Sequence, residues 1–159
     1  MHFRIGDYKQ LPGHYEILSY EYYERSIRFI LQKWKRREKR RAKPTSNVEN
    51  YKKNSKSVLY FCEEKDLKEV SPMIEKLQQV FPEMVFVKAP DNWEDWEQLL
   101  LMSCYNNHII ANSTFSWWGA YLNQEPNSIV CYPSVWFGPK NVYLDTKDLP
   151  LSNELWQKI

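Results

Sequence analysis

Glycine is scarce in this sequence, and the glycine-rich loops that commonly hold phosphate groups are missing. The 159 residues include only four glycines, and neither a GxGxxG nor a GxxxxGK(S/T) pattern occurs. Three widely spaced cysteines form no CxxC pair, which argues against a zinc knuckle or a thioredoxin-type redox site. No apolar run approaches the roughly 18 residues of a membrane-spanning helix, and the first residues do not resemble a signal peptide. These absences favour a soluble, cytoplasmic protein.

The composition is that of an ordinary globular protein with many aromatic residues. Hydrophobic residues make up 43% of the chain, charged residues 26% and aromatic residues 16%, which argues against disorder. The 22 basic and 20 acidic residues give a net charge of +2, so the chain as a whole is not a polycationic binder. Its length suits one domain, and we assign residues 1–159 to a single domain.

Positive charge is concentrated between Arg25 and Lys43, where ten residues are Lys or Arg. Clustered cations are typical of a surface that binds nucleic acid or an anionic membrane. Cations are also favourable near the C-terminus of a helix, and the solvated end of a long helix is the preferred interpretation. Residues 35–57 are therefore predicted to form a basic helix end followed by a polar loop insertion.

Short apolar runs alternate with segments of helical periodicity along the chain. This alternation is typical of an α/β protein, and we predict one Rossmann-like domain with a mostly parallel sheet. Ligands bind such a sheet beyond the carboxyl ends of its strands. The expected strands are Met1–Ile5, Val58–Cys62, Met84–Val87, His108–Ala111 and Ser128–Tyr132, and the expected helices are Tyr20–Arg41, Asp66–Phe81, Trp93–Cys104 capped by Asn92, and Phe115–Leu122.

The first of two candidate ligand-binding segments lies at the start of the chain. His2, Arg4 and Gly6 alternate along the predicted strand, and Asp7 follows them. A guanidinium offers a fork of charged donors to a phosphate, and glycine allows a ligand to approach closely. A surface ion pair between Arg4 and Asp7 is the plainer alternative, and the spacing alone favours it.

The second segment runs from Ile109 to Gly119, where a predicted strand ends in a hydroxyl-rich turn that opens a helix. The free N–H groups and positive end of a helix form an anion site, to which Ser113, Thr114 and Ser116 would add donors. A plain helix cap above a core tryptophan pair is the alternative. Together the two segments indicate a diphosphate-bearing ligand, held by an arginine and a helix N-terminus.

Both segments resemble motifs of the α-1,2-fucosyltransferases, the group that includes the galactoside 2-α-L-fucosyltransferases. The pattern His2-x-Arg4-x-Gly6-Asp7-Tyr8 is similar to the first motif of that family. The stretch from Leu101 to Ala120, with Asn112-Ser113-Thr114-Phe115-Ser116-Trp117-Trp118-Gly119 near its end, is similar to the most recognisable segment. With a similar ending at Trp156–Ile159, the resemblance extends over nearly the whole chain.

The resemblance implies an inverting glycosyltransferase of the GT-B type. Such an enzyme would transfer L-fucose from GDP-fucose to a galactoside hydroxyl in α-1,2 linkage, with no cofactor and no essential metal. In that family the C-terminal Rossmann-like domain holds the donor. This chain is expected to correspond to that half, with a galactose-terminated glycan as acceptor and an N-terminal domain or subunit as partner. The implied catalytic residues are Arg4, Asp7 and His2, and the implied donor-binding residues are Arg4, Gly6, Asn112, Ser113, Thr114, Phe115 and Ser116.

Two positions depart from the family's pattern. Ile5 stands where many members carry a second arginine, and Gln98 stands where an acidic residue often occurs. The first change removes one cationic contact with the donor. The second replaces the acidic residue that would contact guanine or ribose. Two alternatives stay open: a nucleotide-sugar-binding module or split-enzyme subunit without turnover, and a nucleic-acid-binding protein that uses residues 25–43.

The remaining conspicuous side chains are assigned mainly to the protein interior. His14 and His108 lack carboxylate or cysteine partners at ligand spacing, so no metal site is predicted. The ring pair Trp136-Phe137 follows a predicted strand, and stacking on a guanine or a sugar is one option for it. Burial is expected for the cysteines and for one tryptophan pair: Cys62, Cys104, Cys131, Trp93 and Trp96.

Overall fold

The computed structural model describes residues 1–41, 56–141 and 156–159, in which helices alternate with short parallel strands. This arrangement confirms the predicted α/β class. Single turns of 3-10 helix lie at 7–10, 64–66 and 139–141. The helices are α1 (Tyr20–Arg41), α2 (Leu67–Val80), α3 (Asp95–Ser103) and α4 (Thr114–Tyr121), and the strands are β1 (Lys56–Tyr60), β2 (Met84–Lys88), β3 (Asn107–Ile109), β4 (Ile129–Tyr132) and β5 (Trp156–Lys158).

The N-terminal segment completes the sheet by lying between β1 and β3. His2 forms a parallel bridge with Phe61, just beyond β1, and its N–H donates to the carbonyl of Ile109 in β3 at 3.0 Å. On either side, β1 pairs in parallel with β2, while β3, β4 and β5 pair in parallel in that order. The resulting order is β2, β1, N-terminal segment, β3, β4, β5. If the N-terminal segment is counted as the first strand and β1 to β5 as the second to sixth, this is the 3-2-1-4-5-6 order of the Rossmann fold.

Helices cover both faces of the sheet, and the residues of β4 show this alternation directly. Ile129 and Cys131 belong to the core that the sheet shares with α1 and α2. Val130, which points the other way, packs in a cluster with Trp117 and Ala120 of α4, and α3 packs against α4. A strand buried on both faces is typical of a doubly wound sheet. Alternate residues of β4 therefore pack into two different hydrophobic clusters, one on each face.

Helix α1 matches its predicted bounds because its apolar residues recur at the helical period. Helix α3 begins later than expected. Its start is fixed by a capping box between Glu94 and Glu97, in which each side chain accepts the backbone N–H of the other residue; Asn92 is not the cap. Trp96 then lies six residues before the buried Met102, about 120° away around the helix, so the predicted burial of Trp96 is wrong, with 63% of this residue exposed.

Further expectations about burial and about the strands need correction. Trp93, ahead of α3, is also exposed, and of the cysteines only Cys131 is buried, because Cys104 follows the exposed end of α3 and Cys62 is half-buried. The predicted strand at Met1–Ile5 is reduced to one bridge, since the chain turns into a 3-10 helix right after Gly6. Strand β5 was not expected at all.

Most of the predicted polar insertion, from residue 42 to residue 55, lies outside the described residues. Among the residues that are described, no helix is both long enough and apolar enough to cross a membrane.

Candidate functional site

The order of the strands reverses at the N-terminal segment and β3, and we use the word crevice for the region at the carboxyl ends of these two strands. From the N-terminal segment the chain moves outward to β1 and β2, then returns to the other side of that segment with β3. Connections on opposite sides leave an opening at the carboxyl ends of the two central strands, and ligands of open α/β sheets bind there. Arg4 lies at the end of the N-terminal segment, and the turn before α4 follows β3. The two predicted segments therefore meet at one crevice.

Arg4 lies between two carboxylates at the mouth of this crevice. Its Nη2 atom is 2.7 Å from Asp7 Oδ2, and its Nη1 atom is 3.2 Å from Glu63 Oε1. Partial burial by itself would lower the pKa of the guanidinium, but the hydrogen bond to Asp7 and the charges of Asp7 and Glu63 outweigh that effect and raise it. Arg4 is thus a permanent cation, and 30% of its side chain stays exposed.

Gly6 lies directly beneath the side chain of Lys65. Its N–H donates to the buried carboxylate of Asp66 at 2.8 Å. A Cβ atom at this position would lie 2.6 Å from the Cε atom of Lys65. The space that the sequence reserves for a ligand is therefore used by the Lys65 side chain, whose ammonium group pairs with Glu63.

The turn before α4 presents its three hydroxyl groups differently. Ser113 occupies the N-cap position with an extended backbone, and its side chain makes no capping hydrogen bond. Ser116 is fully buried, and its hydroxyl bonds to the backbone of Ala111 and to the carbonyl of Ser113. Ser116 therefore holds the turn together from inside. Thr114 alone of the three is exposed, beside the first N–H groups of the helix.

Two contacts join the Arg4 segment to the α4 turn. The Tyr8 hydroxyl donates to the carbonyl of Asn112 at 2.6 Å, while the Arg4 guanidinium lies over the Tyr8 ring at 5.7 Å from its centre. On the sheet side, the rings of His2 and Phe115 lie 5.7 Å apart. Tyr8 thus connects the cation of one segment to the backbone that opens the helix of the other.

Asn112 fixes the loops around the crevice. It is 1% exposed, and its Nδ2 atom donates to the carbonyls of Glu16 and Trp136 at 2.9 and 3.0 Å. Trp136 is itself buried, and Phe137 is half-buried against Tyr15. The Asn112 side chain therefore connects two loops through hydrogen bonds. Its Oδ1 atom has no hydrogen-bond partner among the described residues.

His2 and Asp7 differ in what they can do at neutral pH. Burial, helped by the positive charges of the amino terminus and Arg4, lowers the pKa of His2 to about 3. A histidine with such a pKa is neutral and is a weak base. Asp7 directs one carboxylate oxygen to Arg4, and this geometry gives it a role in orienting the guanidinium.

Glu63, Lys65 and Asp66 are the crevice residues that sequence reasoning missed. All three belong to the charged run Glu63–Asp66, which directly follows the β1 region. A charge cluster at the carboxyl end of a predicted strand next to the first one would have been the signal. Within the described ranges, no group of three or more His, Cys, Asp or Glu side chains is placed to hold a metal ion.

Comparison with known proteins identifies the family. Residues 27–137 match the model of glycosyl transferase family 11, and this range includes the α4 turn but not Arg4. Two proteins of Escherichia coli share local similarity: an O-antigen biosynthesis glycosyltransferase, WbnK, is 54% identical over 43 residues, and an alpha-1,2-colitosyltransferase is 54% identical over 37 residues.

These local matches cover 27% and 23% of this chain, and only 14% and 13% of the two relatives. No solved structure matches the chain significantly. The family match, by contrast, covers more than half of the chain and falls on a Rossmann-like strand order. The chain belongs to glycosyl transferase family 11.

Proposed function

We propose that this chain is the donor-binding part of an α-1,2-fucosyltransferase-like enzyme, which takes L-fucose or a closely related deoxy sugar from a GDP-linked donor. One observation carries the proposal: Arg4 and the start of α4 lie at the same crevice and are joined through Tyr8. The family assignment supports a glycosyltransferase. One relative, an alpha-1,2-colitosyltransferase, has a name that agrees with the proposed linkage.

The proposed chemistry is the stabilisation of a leaving diphosphate. When the bond between the sugar and GDP breaks, negative charge grows on the diphosphate oxygens. Arg4 would stabilise that charge through paired N–H donors, and the N–H groups at the start of α4 would contribute the positive end of a helix. Thr114 would add a hydroxyl donor. In this proposal Asp7 keeps Arg4 oriented, and the charge is balanced by protein groups without a metal ion.

The acceptor is proposed to be a galactose-terminated glycan. Because the enzymes that the chain resembles are built from two Rossmann-like domains, we take the second partner to be an N-terminal domain, or a subunit that carries one. The general base that activates the acceptor hydroxyl would then belong to that partner. His2 is a poor candidate for it because its pKa lies near 3.

The Arg4→Ala variant tests the proposal by calorimetry with GDP and GDP-fucose. Loss of charge-assisted hydrogen bonds worth about 1.5–3 kcal/mol should weaken GDP binding at least about tenfold. Arg25→Ala, which removes an exposed arginine of α1, is the matched control and should leave GDP affinity unchanged. Equal GDP affinity in all three proteins would refute the assigned role of Arg4.

A transfer assay with GDP-fucose and lactose then separates the proposed enzyme from a binding module. Transfer by the chain, alone or with an added N-terminal partner, supports a fucosyltransferase. Tight GDP-fucose binding without transfer in either case would favour the non-catalytic alternative.

A further inference from the structure

The outer side of α1 carries a row of cations that the proposed donor site does not use. Several pairs of its members stand three, four, seven or eleven residues apart, which are spacings that return to the same side of a helix. The row covers about 22 Å of the helix axis. All of its members are exposed, and the opposite side of α1 is packed in the core. The cationic row consists of Arg25, Arg28, Lys35, Arg36, Lys39 and Arg40.

Little within the described residues neutralises this row. Arg28 pairs with Glu24 at 2.7 Å, and this is the one ion pair that the row forms in the described part of the chain. Like charges four residues apart, as in Lys35 and Lys39, destabilise a helix. The helix dipole favours cations only within the last turn, so it does not account for the first four members of the row. Within the described residues, most of the positive charge of the row therefore faces solvent and is available to an anionic partner.

A groove extends the positive surface beyond α1. It has a volume of about 740 Å³ and is lined by Arg25, Arg28 and Lys35 of the row together with Lys158 of β5. Glu83 is the one acidic residue in its lining. The cations therefore form a surface broad enough to meet several anionic groups at once.

The aromatic residues on α1 argue against a single-stranded nucleic acid as that partner. Binding of single strands uses exposed rings on which bases stack. Phe29 and Trp34 are half-buried against the core, and the ammonium groups of Lys33 and Lys56 lie over their rings at 5.0 and 5.3 Å. An exposed band of cations without free rings suits a flat array of negative charges instead. Helices with four to eight clustered cations commonly bind anionic lipid.

We propose that the cationic row of α1 docks this domain on a membrane surface rich in anionic phospholipid headgroups. Arg37, near the basic end of α1, donates to the carbonyl of Asn127, just before β4. The basic end of α1 therefore lies at the amino end of the sheet, opposite the crevice. The row as a whole lies on the side of α1 that faces away from the core, so we expect membrane binding and GDP binding to be independent properties.

Vesicle co-sedimentation of the whole chain tests this inference. The vesicles are phosphatidylcholine alone, or phosphatidylcholine with roughly 30% phosphatidylglycerol. We expect binding to the anionic vesicles only, and its loss as salt rises toward about 0.5 M. The double variant Lys35→Gln/Lys39→Gln should bind about 25-fold more weakly, at about fivefold for each cation. The double variant Lys68→Gln/Lys140→Gln removes two exposed lysines outside the row and should bind like the unchanged chain.

Each result bears on the proposal in a defined way. Equal binding to both kinds of vesicle, or equal weakening by the row and control variants, would overturn it. Tighter binding to poly(U) than to anionic vesicles, lost on substitution of the row, would overturn it in favour of nucleic acid. Circular dichroism and GDP calorimetry on the same variants show whether the fold and the crevice are intact, which keeps this test separate from that of the proposed function.

Discussion

Arg4 lies between Asp7 and Glu63, so the cation that is proposed to hold a diphosphate already has two anionic neighbours. The ammonium group of Lys65, which pairs with Glu63, adds a second positive charge beside Arg4. An incoming diphosphate must compete with Glu63 for the Arg4 N–H groups. Asp7 is held differently, since its contact with Arg4 is the shorter one and joins residues only three positions apart. Glu63 is therefore the neighbour whose removal should favour the ligand.

We predict that Glu63→Gln strengthens GDP binding by about threefold. The change removes a negative charge near the diphosphate and keeps the size of the side chain. The gain is modest because Glu63 is 41% exposed and water screens its charge. Calorimetry at low ionic strength measures it, with Glu75→Gln, an exposed residue of α2, as the control. Weaker binding by Glu63→Gln would show that Glu63 helps to hold the ligand, for example through a ribose hydroxyl.

The roles of single residues were only partly readable from the sequence. Arg4 and Asp7 stand three residues apart, and their pairing follows from that spacing. Glu63 and Asp66 reach the same place from 59 and 60 residues away, and only the order of the strands brings them there. The burial of Ser116 could not be predicted from the sequence either, because a hydroxyl at a helix start can face a ligand or the interior of the turn.

At the scale of elements, α4 and its preceding turn form the second half of the crevice. The buried Ser116 hydroxyl stabilises the turn by accepting the N–H of Ala111, and Asn112 links the turn to the carbonyl of Trp136. Thr114 is exposed. Under the proposed function, structural and ligand-binding roles are divided between neighbouring residues of this turn. Substitutions of Ser116 and Thr114 should separate them.

We expect Ser116→Ala to lower the free energy of unfolding by about 1–2 kcal/mol, because the buried N–H of Ala111 loses its partner. Thr114→Ala should leave that free energy nearly unchanged and weaken GDP binding about fivefold, the value of one hydrogen bond. Urea denaturation and calorimetry on both variants provide the measurements. A Thr114→Ala variant that binds GDP like the unchanged chain would remove Thr114 from the proposed contacts.

Elements with strong periodicity were predicted well, and elements whose bounds depend on distant contacts were not. The bounds of α1 follow from its apolar spacing, whereas α3 starts where Glu94 and Glu97 cap each other. Strand β5 is only three residues long, and it exists because β4 offers it an edge. Such a strand has little signal of its own.

At the scale of the whole molecule, buried histidines connect stability to pH. Burial lowers the pKa values of His2 and His108 to about 3, while the ordinary value, expected in the unfolded chain, is 6.5. Between these values the unfolded chain binds protons that the folded chain does not. Stability should therefore fall as pH decreases from about 6.5 to about 3, and should be insensitive to these groups below that window.

The predicted slope is about 1.4 kcal/mol per pH unit for each histidine within that window. Denaturation midpoints across the window measure it. His108→Gln should reduce the slope by the contribution of one histidine. An unchanged slope in a folded His108→Gln variant would show that His108 is not the group responsible.

The parallel, doubly wound sheet was predictable because short apolar runs alternate with helical segments. The position of the crevice was not, since it depends on the N-terminal segment lying between β1 and β3. Once that order is known, Arg4 and the α4 turn have to be neighbours. The central claim at this scale is that one diphosphate contacts both of them.

The amide NMR spectrum of the labelled chain, titrated with GDP, tests that claim most directly. We predict that the largest shifts occur at Gly6 and at residues 113–116, and that Arg4→Ala reduces both sets together. Amides of α1 should stay in place and serve as the internal reference. Shifts confined to another region, such as the exposed tryptophans of residues 93–96, would contradict a shared diphosphate site at this crevice.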